Sequence, residues 1–209
     1  MVHFRESATS IIFFTSNGMI VIGLGNPGKK YQGTRHNLGS MVVEALVEQQ
    51  GAGRWKKEFG VRWTRVDDAV IAEPQEYMNV SGASMKKFLT AKGLPLAPDS
   101  ILVIHDDLDL ALGDLRIEFG RGSAGHQGVA SLIEALGTPK FYRLRIGLGS
   151  NRASGIPAEA YVLQKFSLAE QGIINQSIAK AAELAVSWLH RLQEKGPPGS
   201  DPRKGAAKR

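Results

Sequence analysis

The stretch Gly23-Leu24-Gly25-Asn26-Pro27-Gly28, continued by Tyr31-Gln32-Gly33-Thr34-Arg35-His36-Asn37, decides how the rest of the chain reads. An apolar run from Met19 to Leu24 leads into it. A helical pattern leads out of it, Leu38 to Gln49, with Val42, Val43, Leu46 and Val47 at helical spacing and Gly51 behind. Apolar strand, irregular polar loop, helix is the arrangement by which α/β proteins build sites at the carboxyl end of a strand. Glycines let the backbone come close to a ligand. Asparagine offers both a donor and an acceptor, and histidine is the side chain suited to take up a proton near neutrality.

Further along, residues 54–66 alternate bulky and basic side chains and read as irregular chain plus a strand. Ala69 to Ala72 reads as a second strand, followed by the loop Pro74-Gln75-Glu76-Tyr77-Met78-Asn79-Val80-Ser81-Gly82. A helix is expected from Ala83 to Ala91, stopped by Gly93 with Pro95 beyond. Ile101 to Ile104 is an apolar run typical of a buried strand, and it exits into His105-Asp106-Asp107-Leu108-Asp109. Leu115 to Phe119 is the next strand, with Arg116 and Glu118 on one face. A second glycine-rich loop, Gly120 to Gly128, holds His126 and Gln127 and precedes a helix from Val129 to Leu136. Phe141 to Leu148 is a strand with Arg143 and Arg145 on one face. Ser167 with Glu170 forms a capping box, and Ile174, Ile178, Ala181, Ala185, Trp188 and Leu192 mark one face of a packed helix. No internal repeat is present.

Strands alternating with helices imply an α/β sheet covered on both faces. The polar motifs fall where strands exit, so Asn26, His36, Asn79, Asp106 and the His126/Gln127 loop are expected to converge on one rim.

The 209 residues suit one domain with a sizeable core, and 43% hydrophobic with 22% charged residues is ordinary globular chemistry. With no cysteine, disulfides and thiolate metal sites are excluded. No apolar run approaches the roughly 20 residues that span a bilayer. A net charge of +6 favours an anionic partner, nucleic acid first. Residues 1–18 contain the short apolar patch Ile11-Ile12-Phe13-Phe14 but resemble neither a signal nor a transit peptide. The expected division is an N-terminal extension over 1–18, a folded domain over 19–194 and a disordered basic tail over 195–209.

Two motifs carry rival readings. Gly23-x-Gly25-x-x-Gly28 matches the dinucleotide fingerprint literally. Pro27, however, removes an N–H that a pyrophosphate would use, and no acidic residue ends a second strand about 20 positions on. His105-Asp106-Asp107-x-Asp109 has the oxygens of a hard-cation site but equally those of a polar strand end.

Taken together and in order, six motifs resemble the bacterial-type peptidyl-tRNA hydrolase family. They are Gly-Leu-Gly-Asn-Pro-Gly, Tyr31 to Asn37, Tyr77-Met78-Asn79-x-Ser81-Gly82, His105 to Asp109, Gly125-His126-Gln127-Gly128, and Leu144-Arg145-Ile146-Gly147-Leu148-Gly149. The resemblance implies a single-domain three-layer α/β/α globule with a mixed twisted sheet. It also implies a monomeric, cytoplasmic enzyme without metal or cofactor, acting on the acceptor stem and 3′ end of peptidyl-tRNA. The implied reaction is hydrolysis of the ester between a peptide and the 3′ ribose, which recycles tRNA during translation.

By the same resemblance His36 is the general base, Asp106 the carboxylate that orients it, and Asn26 the amide that senses an acylated amino group. Asn79 binds the peptide backbone or the ester. Tyr31 and Tyr77 line the tRNA-end site, Gln127 contributes an amide, and Arg145 belongs to a clamp on the 5′ phosphate. Two positions depart from the family pattern. Gln127 stands where asparagine is usual and reaches one methylene further. Glu118 stands where the clamp often has lysine, so the expectation is that Arg116 or Arg121 takes over or that tRNA selectivity is weaker. The alternative is a non-catalytic RNA-binding relative of the same fold; a third reading is a dinucleotide-dependent enzyme.

Overall fold

The computed structural model describes residues 18–94, 97–149 and 155–195. The expected extension and basic tail therefore lie outside the described residues, save for Gly18 and Lys195. Seven strands form one mixed sheet in the order β2-β3-β4-β1-β5-β7-β6. They are β1 (Ile20–Gly23), β2 (Lys56–Glu58), β3 (Val61–Val66), β4 (Ala69–Pro74), β5 (Ile101–Asp107), β6 (Leu115–Phe119) and β7 (Tyr142–Gly147). The central four, β4-β1-β5-β7, are parallel. The β2-β3-β4 edge and β6 are antiparallel.

Alternation along the strands explains the layers. Ile20 and Ile22 of β1, with Ile101 and Val103 of β5, face a core completed by Met85, Phe88, Leu89, Val129 and Leu132. These come from α2 (Ser81–Ala91) and α3 (Gln127–Leu136). Val21, Leu102, Ile104, Leu144 and Ile146 point the other way, onto Val42, Val43, Leu46, Ile174, Ile178 and Ala181. Those belong to α1 (Leu38–Gln49) and α5 (Leu168–Lys195). Fully burying each large aliphatic side chain contributes roughly 1.5–3 kcal/mol. Both faces are thus covered, as the continuous apolar runs of β1 and β5 require.

Two glycines set how closely the layers meet. A Cβ on Gly39 would lie 2.1 Å from the Ile104 carbonyl oxygen and 2.5 Å from the Leu24 nitrogen. A Cβ on Gly82 would lie 2.0 Å from the Ser131 carbonyl oxygen. The first lets α1 start hard against the ends of β1 and β5. The second lets α2 dock on α3, where Ser131 Oγ accepts from the Gly82 amide at 2.9 Å.

Several boundaries depart from the sequence expectation, among them the end of β4, which runs to Pro74 rather than Ala72. Strand β5 does not stop at Ile104 but runs through Asp107, fully buried, so His105 and Asp106 sit within the sheet. Residues 54–66 hold two paired strands, joined at Phe59 and Gly60, both at positive φ. α2 and α3 each start two residues earlier than their apolar patterns suggest.

Candidate active site

The carboxyl ends of β1, β4 and β5 open onto a cavity of about 740 Å³. Asn26, Tyr31, His36, Tyr77, Asn79, Asp106, His126 and Gln127 line it. Seven of the eight expected site residues thus share one cavity. The exception is Arg145.

His36 lies on a 3-10 turn, Arg35–Asn37, between the glycine-rich loop and α1. Its Nδ1 is 3.0 Å and 3.1 Å from the two oxygens of Asp106. A carboxylate can only accept, so Nδ1 carries the proton and donates it. Nε2 is then left with its lone pair on the cavity side. Asp106 Oδ1 also accepts from His126 Nε2, at 3.1 Å. The other nitrogen of His126, Nδ1, accepts from the Val129 amide at 3.3 Å as the N-cap of α3. Helix and carboxylate thereby select the same tautomer of His126.

The carboxyl of Asp106 sits in competing fields. Burial alone pushes it up, but the electrostatic attraction and hydrogen bonding of the His126 ring, then of the His36 ring, hold it well below the usual carboxylate range. It is ionised wherever the protein is folded near neutrality. His105 closes the cluster from behind. Its ring meets that of His126 edge-on at 4.8 Å, and its Nδ1 donates to the Asp106 carbonyl at 2.7 Å. Burial, then His126, pushes the His105 imidazole down to about 3, so it stays neutral and adds no charge.

Asn26 is fixed at both ends. Its backbone N–H donates to Asn37 Oδ1 at 2.9 Å, and Asn37 Nδ2 returns a bond to the Asn26 carbonyl at 3.0 Å. Its side-chain Oδ1 accepts from the Met78 amide at 2.9 Å. Only its NH₂ end is free for the cavity. The same bonds answer the dinucleotide reading, because the loop amide that would face a pyrophosphate is already taken by Asn37. Asn79 is exposed on the 3-10 turn Met78–Val80, and Gln127 is the exposed first residue of α3. Tyr31 and Tyr77 meet edge to face at 6.3 Å, with Lys30 Nζ 4.6 Å from the Tyr31 centroid.

Arg145 lies outside this wall. Its Nε donates to Asp107 at 2.6 Å and one terminal nitrogen donates to Glu118 at 2.8 Å. Glu118 also holds Arg121 at 3.1 Å. The glutamate at this departure is thus a counter-ion to Arg145 and Arg121, and Arg116 and Arg121 are both exposed on that edge.

Ligand-type atoms of His36, Asp106 and His126 come within 4.8 Å of one another. Both imidazole nitrogens that face Asp106 are donors to it, however. A cation would have to displace both protons and turn the His126 lone pair away from the Val129 amide. The set therefore suits proton transfer better than ligation. In the His105–Asp109 motif, Asp107 is spent on Arg145 and on the Asp109 amide.

Sequence reasoning placed His126 near the site but gave it no role. Histidine is not among the residues favoured at helix N-caps, so neither its cap nor its bond to Asp106 had a local signal.

An imidazole with a carboxylate behind it and a free ring nitrogen in front, at the open rim of an α/β sheet, defines the class: a hydrolase built around a general base. The family follows from comparison, since residues 20–197 match the family described as peptidyl-tRNA hydrolase. A peptidyl-tRNA hydrolase of Thermodesulfovibrio yellowstonii is 40% identical over 80% of this chain and 90% of its own. One of Aquifex aeolicus is 41% identical over 78% of this chain and 85% of its own. The crystal structure of peptidyl-tRNA hydrolase from Acinetobacter baumannii superposes with a TM-score of 0.74 at 31% identity, covering 86% of this chain and 92% of that one. The chain belongs to the peptidyl-tRNA hydrolase family and is a hydrolase.

Proposed function

We propose that this chain hydrolyses the ester joining a peptide to the 3′ ribose of tRNA, with His36 as the base that activates water. The observation that carries the proposal is the His36–Asp106 contact at 3.0 Å in a histidine that lines the cavity, which leaves Nε2 with its lone pair. Nε2 takes a proton from water as the hydroxide attacks the ester carbonyl. The imidazolium, stabilised by ionised Asp106, then returns that proton to the departing ribose oxygen. General-base action of this kind contributes about 10²–10⁴-fold.

The remaining residues supply grip. With its oxygen held by the Met78 amide, Asn26 offers only donors, and these match a carbonyl on an acylated amino group rather than a free ammonium. Asn79, exposed and without an internal partner, holds the peptide backbone. Tyr31 and Tyr77 give the terminal base a surface to stack on, with Lys30 beside them for the backbone phosphate. Arg145 steadies Asp107 and Glu118 behind the cavity, and the exposed Arg116 carries the phosphate contact on that edge. The protein acts as a monomer in the cytoplasm. Among the described residues, no helix is long and apolar enough to cross a membrane. The relatives named above are hydrolases, which favours turnover over RNA binding alone.

The test is release of N-acetylated amino acid from its tRNA in the presence of chelator, for the native protein and His36→Ala. The expected result is turnover by the native protein. It should be lost in the variant while tRNA binding persists. Unchanged turnover in His36→Ala would refute the base, and binding without turnover in the native protein would establish the RNA-binding alternative.

A further inference from the structure

Arg35 immediately precedes the base, yet it does not line the cavity and is buried. A buried guanidinium is costly unless something holds it. Its surroundings show what does. One terminal nitrogen donates to Glu170 at 2.8 Å. The carbon of the guanidinium lies 4.3 Å from the Tyr161 ring centroid and 4.8 Å from that of Phe166. Its Nε and other terminal nitrogen make no hydrogen bond, so the rings are their partners.

The backbone repeats the attachment. The Arg35 amide donates to the Gln164 carbonyl at 2.9 Å, and Thr34 forms a bridge with Lys165. Every one of these contacts runs to residues 161–170. That segment is the corner between α4 (Ala158–Val162) and α5. α4 and Leu163 build one wall of the cavity through Ala158, Glu159, Val162 and Leu163.

We propose that Arg35 is a positioning residue: it fixes the turn carrying His36 to the α4–α5 corner, and so sets the distance between the base and the wall against which the substrate lies. The inference rests on His36 being the base. On the far side of His36, Asn37 is bonded to the Asn26 loop. The imidazole is therefore suspended between two anchors, one to each wall.

Glu170 makes the cationic anchor rigid. One of its oxygens takes Arg35 and also the backbone N–H and Oγ–H of Ser167, closing the cap of α5. Arg35 first, and the Ser167 bonds after it, hold its carboxyl down to about 2, so the pair is ionised across the working range. Lysine keeps the charge at position 35 but has neither the flat face that lies between two rings nor the fixed fork. A shift of about 1 Å at a base can cost 10²-fold.

The test measures kcat, KM, tRNA affinity and thermal midpoint for Arg35→Lys, Glu170→Gln and the double variant, on N-acetylaminoacyl-tRNA. Arg35→Lys is expected to lower kcat by about 10-fold to 10²-fold with KM and tRNA affinity unchanged. Glu170→Gln, which keeps shape and removes charge, should lower it several-fold. The double variant should be little worse than Arg35→Lys alone, since both remove one coupling. Val47→Ala, buried in α1 away from the cavity, serves as a stability comparator and should shift the midpoint without touching kcat. Native kcat in both single variants would overturn the proposal, as would a kcat loss shared by Val47→Ala at equal midpoint. If Arg35→Lys fails to fold, Glu170→Gln decides: native kcat overturns the proposal and a several-fold loss at constant KM supports it. An inactive His36→Ala beside normal Arg35→Lys and Glu170→Gln refutes the positioning role alone, whereas an active His36→Ala refutes the base on which it rests.

Discussion

Replacing Asp106 by asparagine removes a charge while keeping almost every contact. Oδ1 accepts from both His36 and His126, at 3.0 Å and 3.1 Å. An amide oxygen in the place of Oδ1 can still accept both bonds, whereas the amide nitrogen in the place of Oδ2, 3.1 Å from His36 Nδ1, sets a donor against a donor and weakens that contact. What is lost is the attraction between a carboxylate and the imidazolium that forms as water is deprotonated. With charge spread over ring and carboxylate, the separation is about 4 Å, and two unit charges there attract by roughly 4 kcal/mol at an effective dielectric of 20. That energy corresponds to a factor of about 10³ in rate. The loss should appear in kcat, because the imidazolium exists only after attack begins. Single-turnover hydrolysis of N-acetylaminoacyl-tRNA, with enzyme in excess, measures it directly. A decrease of less than 10-fold, with the His36 contact intact in a structure of the variant, would refute the assignment of Asp106 as the charge that supports the base.

Stability should depend on Glu73. It is buried at the end of β4, accepts from Ser40 Oγ at 2.8 Å, and has its other oxygen 2.7 Å from Arg62 Nε. Burial outweighs the attraction of Arg62 and pushes its carboxyl up to about 7. The folded state then binds this proton more tightly than the unfolded chain. Its contribution is full below about pH 4.5 and is lost as pH rises through about 7, roughly 3 kcal/mol in all. Urea midpoints at pH 5 and pH 8 should differ by much less in Glu73→Gln; an equal difference would show that another group is responsible. Gly39→Ala should cost about 3 kcal/mol or more, since its Cβ would meet backbone of both β1 and β5, and a melting shift worth under 1 kcal/mol would show that α1 can retreat. Gln127→Asn shortens an amide at the cavity wall by one methylene, and kcat should rise by up to about 10-fold at constant stability. An unchanged kcat would mean that this amide does not touch the reacting ester.

The strand–loop–helix at Met19–Gln49 was legible because its pieces are governed by local rules: an apolar run, glycines at a turn, and helical spacing. The continuation of β5 was not. His105, Asp106 and Asp107 look like chain leaving a sheet, because polar residues at the end of an apolar run usually do. They remain in the strand because each finds a distant partner or, for His105, its neighbour's carbonyl. No local pattern announces an arginine 38 residues away. The β2–β3 turn was hidden for a different reason. Phe59 occupies a left-handed conformation that asparagine or aspartate would have signalled. Arg145 reads from sequence as a free cation, and only the register Arg116↔Arg145 and Glu118↔Arg143 shows carboxylate and guanidinium on the same face.

The N-cap of α3 carries a consequence for how the protein becomes active. The Val129 amide that fixes the proton on His126 exists as a free donor only because a helix begins there. Should that first turn fray, the donor goes to solvent, and His126 keeps only the carboxylate to fix its proton. The electrostatic setting of Asp106 is therefore completed by a secondary-structure event more than 20 residues downstream of it. The docking of the last layer on that face of the sheet thus also supplies the final hydrogen bond behind the carboxylate, so the site is finished only when α3 closes.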